Sequence, residues 1–351
     1  MTPVKSEAAS PDWQGVPERY VCQPHPLPLG GRTGALEYRP PVWLRSGHLQ
    51  SVWPTLFRQV RLEDPETEVI STSDHDELHL DWYRRGSDRL AILCHGLEGN
   101  SRRSYIRGMA RALLSDGWDV LAWNFRSCGG TMNRQPRFYH SGATGDLSRV
   151  IEHALGEGYG TLVLSGFSMG GNLALLYLGE EGGEVDPRIA GAVTFSVPCD
   201  LAGSAAMLAL PSRRIYMKRF LGDLQAKMAE KSRRFPDLID VRNFNSIRTF
   251  RQFDDRYTAP LHGFHDAEDY WSRCSSLSRL RDIRVPALMV NALDDPFLSP
   301  SCFPDDLDIL GDQVTLQATK WGGHVGFVEN STDGYYWSER RATAFFSKLV
   351  S

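Results

Sequence analysis

The run Thr161-Leu-Val-Leu-Ser165, followed at once by Gly166-Phe-Ser-Met-Gly-Gly171, constrains this chain more than any other segment. An apolar, partly β-branched stretch meets Gly-x-Ser-x-Gly and passes into Asn172-Leu-Ala-Leu-Leu-Tyr-Leu178, which favours a helix. The order is strand, sharp turn, helix, with Ser168 at the turn, the context of a nucleophile elbow. Such a turn strains its central residue, so the positions two before and two after must be small, and Gly166 and Gly170 stand there. Ser168 is then expected at the carboxyl end of a sheet, its hydroxyl at the positive end of a helix. Glycine fills 32 of 351 positions, so the pentapeptide alone is a weak signal. Its weight comes from the strand and helix around it and from partner motifs downstream.

Around this turn the pattern alternates apolar strands with helices. Strands are expected at Leu90–Cys94, Val120–Trp123, Thr161–Ser165, Gly191–Ser196, Ala287–Asn291 and Val314–Ala318, and helices at Arg103–Ser115, Thr144–Ala154, Met169–Leu178 and Gly334–Leu349. Upstream, Glu68–Thr72 and Glu77–Tyr83 alternate around Ser73-Asp-His-Asp76 as an antiparallel hairpin. Strands buried on both sides and separated by helices predict an α/β fold, with a mostly parallel, eight-stranded sheet and helices on both faces. Residues 202–275 break the rhythm with a Met-, Arg- and aromatic-rich helical pattern, and read as a helical cap inserted into a core of 61–201 and 276–351. Residues 1–60 read as an N-terminal arm, irregular over 1–40, with the apolar-rich segment Pro40–Arg58 pinned to the core.

Composition removes several classes of function. The net charge is −4, with no basic run that points to nucleic acid. The six cysteines are scattered without CxxC pairs, which argues against a zinc knuckle or a disulfide framework and fits a reducing cytoplasm. Met1–Ser10 lacks the apolar core of a signal peptide, and Pro198, Asp200 and Ser204 interrupt the longest small-apolar stretch, so no membrane span is expected. His262 and His265 lack further ligands nearby, so no metal site is expected.

A serine nucleophile needs a neutral imidazole to take its proton and an acid to orient that imidazole. On an α/β sheet these arrive in chain order Ser, acid, His. Asp295, in Asn291-Ala-Leu-Asp-Asp-Pro-Phe297, follows a strand and is the favoured acid, with adjacent Asp294 as the alternative. His324, in Lys320-Trp-Gly-Gly-His-Val-Gly-Phe327, is the base candidate, since no other histidine lies downstream of the acid. The oxyanion donors expected are the N–H groups of Met169, directly after the nucleophile, and Leu97, in His95-Gly-Leu-Glu-Gly99. His95 reads as a structural residue of that loop, and Asn124-Phe-Arg-Ser-Cys-Gly-Gly130 as a structural turn beside the pocket.

These motifs resemble the YheT-like branch of the α/β-hydrolases, the AB hydrolase 4 family. The resemblance rests on Pro40-Pro-Val-Trp-Leu-Arg-Ser-Gly-His-Leu-Gln-Ser51, His95-Gly-Leu-Glu-Gly99, Asn124–Gly130, Gly166–Asn172, Phe253-Asp-Asp-Arg-Tyr-Thr-Ala-Pro260, Asp294-Asp-Pro-Phe297 and Gly322-Gly-His-Val-Gly-Phe327. One departure is Ser127, where the family pattern has glycine. The resemblance implies an α/β-hydrolase fold and a cofactor-free serine esterase acting on short- or medium-chain acyl esters, with Ser168, Asp295 and His324 as the triad. Acyl transfer to an alcohol and acylglycerol lipolysis use the same triad and stay open; a non-catalytic binding protein is the alternative from another class. The expected partner is a small-molecule ester. Arg213, Arg214, Lys218, Arg219, Lys227, Lys231, Arg233 and Arg234 read as the solvated outer face of a cap helix, with a basic face resting on anionic lipid as the alternative.

Overall fold

A computed structural model describes residues 37–304 and 306–350. Most of the expected irregular arm, residues 1–36, lies outside the described residues. Eight strands form one sheet: β1 (Glu66–Ser71), β2 (Glu77–Tyr83), β3 (Arg89–Cys94), β4 (Asp119–Asn124), β5 (Thr161–Phe167), β6 (Ile189–Phe195), β7 (Ala287–Ala292) and β8 (Val314–Thr319). Their spatial order is β1-β2-β4-β3-β5-β6-β7-β8. The β1–β2 hairpin and the β2–β4 pair are antiparallel, and every later pairing is parallel. The sheet is therefore mostly parallel, as the strand spacing predicts.

The period of two along each strand divides the core into two layers. Leu90, Ile92, Leu162 and Leu164 face one layer, with Leu147, Val150 and Ile151 of α3 (Thr144–Gly156) and Leu173 of α4 (Met169–Glu181). Ala91, Leu93 and Val163 face the other, with Ile106, Met109 and Leu113 of α2 (Ser104–Ser115) and the C-terminal Phe345 and Phe346. Each fully buried leucine or phenylalanine contributes about 1.5–3 kcal/mol of burial.

The Pro40–Arg58 segment is held by one face only. In α1 (Gly47–Phe57), Gly47, Gln50 and Pro54 are buried, while Leu49, Leu56 and Phe57, with Val42 and Trp43 before the helix, remain exposed. Five helices lie between β6 and β7: α5 (Leu201–Leu208), α6 (Arg214–Arg234), α7 (Phe250–Phe253), α8 (Ala259–His262) and α9 (Ala267–Cys274). A single π-turn, Asp254–Thr258, joins α7 to α8. Helix α6 buries Met217, Leu221, Leu224 and Met228, a stripe at helical spacing. The buried Asn172 of α4 ties the C-terminal border of this region, and the segment before α3, to the sheet. Its Nδ2 donates to Ser141 O (3.1 Å) and Cys274 O (2.8 Å), and its Oδ1 accepts from Ser276 N–H (2.9 Å).

After the short α10 (Leu307–Leu310) the chain forms β8 and then the last helix, α11 (Trp337–Leu349). This helix starts later than the expected Gly334. Gly334 sits at φ 74°, outside helical space, and Glu339 Oε2 accepts the Tyr336 N–H at 3.0 Å, which caps the helix there.

Candidate active site

Ser168 joins β5 to α4 at φ 53°, ψ −122°, a conformation costly for any residue with a Cβ. Close approach explains its two glycines. A Cβ on Gly166 would lie 2.5 Å from Gly170 O, and one on Gly170 would lie 2.4 Å from Cys94 O. The elbow is anchored by the Ser168 N–H, which donates to Phe195 O at 2.8 Å.

His324 reaches this point from the loop after β8. The loop turns through left-handed backbone at Gly323 (φ 54°) and Val325 (φ 62°), a path that favours glycine. His324 Nε2 lies 2.9 Å from Ser168 Oγ, and His324 Nδ1 lies 2.9 Å from Asp295 Oδ2 and 3.2 Å from Oδ1. With Nδ1–H donating to the carboxylate, the Nε2 lone pair faces the serine hydroxyl. Asp295 is 1 % exposed and also accepts the Phe297 N–H (2.9 Å), which fixes its orientation. The Phe297 ring covers the imidazole, centroids 4.0 Å apart, and shields it from water.

Asp294 occupies a different place. Its Oδ1 accepts the Gly323 N–H at 2.8 Å, and its Oδ2 has no partner among the described residues. Burial pushes its carboxyl up to about 7. Of the two adjacent aspartates, Asp295 thus meets the imidazole and Asp294 holds the loop that carries it.

The His95–Gly99 loop is clamped on three sides. The fully buried His95 donates from Nδ1 to Gly96 O (2.8 Å) and accepts the Phe125 N–H at Nε2 (3.1 Å). Burial lowers its imidazole to about 3, so the ring is neutral. Tyr105 OH accepts the Gly96 N–H and Tyr139 OH accepts the Glu98 N–H, both at 3.0 Å. Between these two, the Leu97 N–H finds no acceptor among the described residues, and neither does the Met169 N–H at the first position of α4.

Several positioning contacts escaped the sequence reading. Ser51 Oγ accepts the His324 N–H (2.7 Å) and donates to Gly47 O (2.6 Å). Gln50 Oε1 accepts the Val328 N–H (3.0 Å), and Ser196 Oγ accepts the Val325 N–H (2.8 Å). A Cβ on Gly47 would lie 1.7 Å from Asp294 O. Helix α1 therefore clasps the histidine loop. The density of the Pro40–Arg58 motif was the available signal, but nothing in it named the partner.

Ser127 keeps the turn that glycine would make. It sits at φ 64°, and its hydroxyl donates to Asn133 Oδ1 while accepting the Asn133 N–H (3.3 Å). Its neighbour Arg126 is buried among Asp74 (2.6 Å), Asp76 (2.9 Å) and Asp146 (2.7 Å), which ties the β1–β2 hairpin to the turn after β4. The basic run of the cap is not one outward face. Lys227 is buried on Glu98 (2.7 Å), and Lys231 is buried with its Nζ donating to Gln135 O (2.6 Å). The α6 stripe faces inward and carries these two stems with it, so Lys227 and Lys231 depart from the expected solvated face. His262 packs on His140, centroids 4.4 Å apart, whereas His265 is exposed and pairs with Asp266.

Two cavities meet at Ser168 and His324, divided by Leu97, Phe220 and Phe297. The inner one runs under the helices between β6 and β7 and is walled largely by apolar side chains, among them Met169, Leu208 and Leu224. The outer one is more polar, with Ser51, Arg103, Arg107, Tyr216 and Arg219 on its border beside apolar Val52, Leu56 and Val60. Met207 lines neither.

Comparison with known proteins agrees with this architecture. Residues 91–331 match the model of the alpha/beta hydrolase fold family. The chain is 33% identical to the Escherichia coli (strain K12) protein named "Putative esterase YheT", over 84% of this chain and 88% of that one. It is 31% identical to Phospholipase ABHD3 of Homo sapiens, over 83% of this chain and 74% of the relative. The solved Pyrococcus furiosus esterase Pf2001 shares the fold with a TM-score of 0.54 at 19% identity, covering 81% of this chain and 92% of that one. The chain belongs to the α/β-hydrolase fold family, in the branch that includes YheT.

Proposed function

We propose that this protein, an esterase-type α/β hydrolase, cleaves carboxylic esters of short- or medium-chain acyl groups through a covalent acyl-enzyme on Ser168. The observation that carries the reading is the unbroken hydrogen-bonded series Ser168–His324–Asp295 at one sheet edge. Ser168 Oγ attacks the ester carbonyl as His324 Nε2 takes its proton. Asp295 keeps the proton on Nδ1 and stabilises the imidazolium. The N–H groups of Leu97 and Met169 receive the developing oxyanion. His324 returns its proton to the departing alcohol, then activates a water that releases the acid. The inner cavity suits the acyl chain, and the outer, polar groove suits the alcohol. Relatives named for phospholipase and monoacylglycerol lipase activity support ester substrates of lipid type. The reading needs no metal or cofactor. Among the described residues no helix is long and apolar enough to cross a membrane. The described cysteines are all free.

Turnover of p-nitrophenyl esters from acetate to palmitate tests the reading. The expected result is a maximum at short or medium chains, with turnover abolished in Ser168→Ala. Retained turnover in that variant, or a preference rising steadily to palmitate, overturns it.

A further inference from the structure

The inner cavity contains a feature that an aliphatic chain does not need. Asp254 borders it, on the side formed by the helices between β6 and β7. Its side chain belongs to the π-turn Asp254–Thr258, a less favourable backbone that recurs at functional sites. Oδ1 accepts the Thr258 hydroxyl (2.6 Å), and Oδ2 accepts Trp271 Nε1–H (2.9 Å). A carboxylate has about four acceptor positions, so two donors leave half its capacity unused. Asp254 is 8 % exposed, and no cation pairs with it among the described residues. Burying a carboxyl beside a purely hydrocarbon ligand costs free energy and returns nothing. Leucine or valine would wall the same space at lower cost.

The neighbourhood is also polar. Tyr270 OH accepts the Ser141 N–H (2.9 Å), and both residues border the cavity. His140, another border residue, accepts the Gly142 N–H at Nδ1 (3.1 Å), which places the hydrogen of its neutral ring on Nε2. That Nε2–H has no acceptor among the described residues. Asp254, Tyr270, Ser141 and His140 therefore border a cavity whose other walls are mostly apolar.

We propose that Asp254 is a specificity-determining residue that accepts a hydrogen bond from a hydroxyl carried on the acyl half of the substrate. The inference rests on the acyl-enzyme reading above and names a substrate class for it: esters of hydroxylated acyl groups. A hydroxyl suits this position because it can donate to an acceptor site that Thr258 and Trp271 leave open on Asp254. Burial pushes the Asp254 carboxyl up to about 7 against the two donors it already has, Thr258 and Trp271. The unused capacity is thus filled by substrate, and a plain chain of equal length leaves it empty.

The experiment compares p-nitrophenyl ω-hydroxyalkanoates of four to ten carbons with plain alkanoates of matched length. It reads the ratio of kcat/KM within each length for the wild type, Asp254→Asn and Asp254→Leu. At one length the wild type is expected to favour the hydroxy ester about tenfold, the worth of one net hydrogen bond. Asp254→Leu is expected to reverse the preference, and the size-matched Asp254→Asn to shrink it. A wild type that favours the plain ester at every length overturns the proposal without needing any variant. So does a preference that neither variant changes, which marks Asp254 as a structural tie between Thr258 and Trp271. Turnover of plain esters without discrimination defeats this inference alone. No turnover of either series defeats the esterase reading and this inference with it.

Discussion

Removing the Ser51 hydroxyl tests how the catalytic imidazole is held. Ser51 Oγ accepts the His324 N–H at 2.7 Å and donates to Gly47 O at 2.6 Å, so one side chain joins α1 to the histidine loop. Ser51→Ala leaves a partly buried backbone N–H without its acceptor, worth about 1–3 kcal/mol. The side chain touches no reacting atom, so it acts only through the position of the ring. If the loop relaxes in the free enzyme and must be restored during the reaction, that energy appears in the barrier. At ~1.36 kcal/mol per tenfold, kcat falls about 5- to 150-fold. KM is expected to change less than kcat: Ser51 borders the outer cavity, but its hydroxyl is committed to Gly47 O and the His324 N–H. Ser51→Thr keeps an oxygen able to bond the same partners and restores most of the rate. The assay is steady-state hydrolysis of one soluble p-nitrophenyl ester by the three proteins, with a melting curve for each. Unchanged kcat in Ser51→Ala, or equal losses in the alanine and threonine variants, refutes the reasoning.

Other perturbations separate chemistry from scaffold. Asp295→Asn is expected to lower kcat by about 10⁴, since the amide cannot hold the Nδ1 proton, and Asp294→Asn to retain most activity; the reverse order exchanges their roles. Asp294 also predicts a pH trend. Its carboxyl is raised from the ordinary 3.8 to about 7 in the folded protein, so its contribution to stability is full below 3.8 and is lost as pH rises through about 7. Urea unfolding of Asp294→Asn relative to wild type therefore improves from pH 5 to pH 8, and a flat or falling difference contradicts the assignment. Arg126→Leu leaves Asp76 and Asp146 without their cation, while Asp74 keeps Arg137, and is expected to cost about 3–5 kcal/mol in the same assay; a loss under 1 kcal/mol means those two carboxylates find other partners.

What the sequence conveyed well depended on local periodicity. The strands flanking the elbow are continuous apolar runs, and their alternation with amphipathic helices left one economical arrangement. The glycines around Ser168 were readable because a sharp strand-to-helix turn has known steric needs. Contacts between distant segments were not readable. Ser51 and Gln50 lie far along the chain from the loop they hold, and their types are as common on exposed helices. Asp294 and Asp295 differ in role through one residue of the turn after β7. Lys227 and Lys231 read as solvent-facing cations, yet α6 turns them inward to meet Glu98 and the Gln135 carbonyl. Ser127 reads as a defect in a glycine motif until Asn133 is found bonded to its hydroxyl.

The central claim is that a single serine forms the covalent intermediate. Peptide mass mapping after fluorophosphonate treatment of the intact protein tests it most directly. The account predicts one adduct, on the peptide containing Gly166–Asn172 and localised to Ser168, with loss of ester turnover in proportion to labelling. An adduct on another residue, or full turnover with Ser168 stoichiometrically modified, contradicts it.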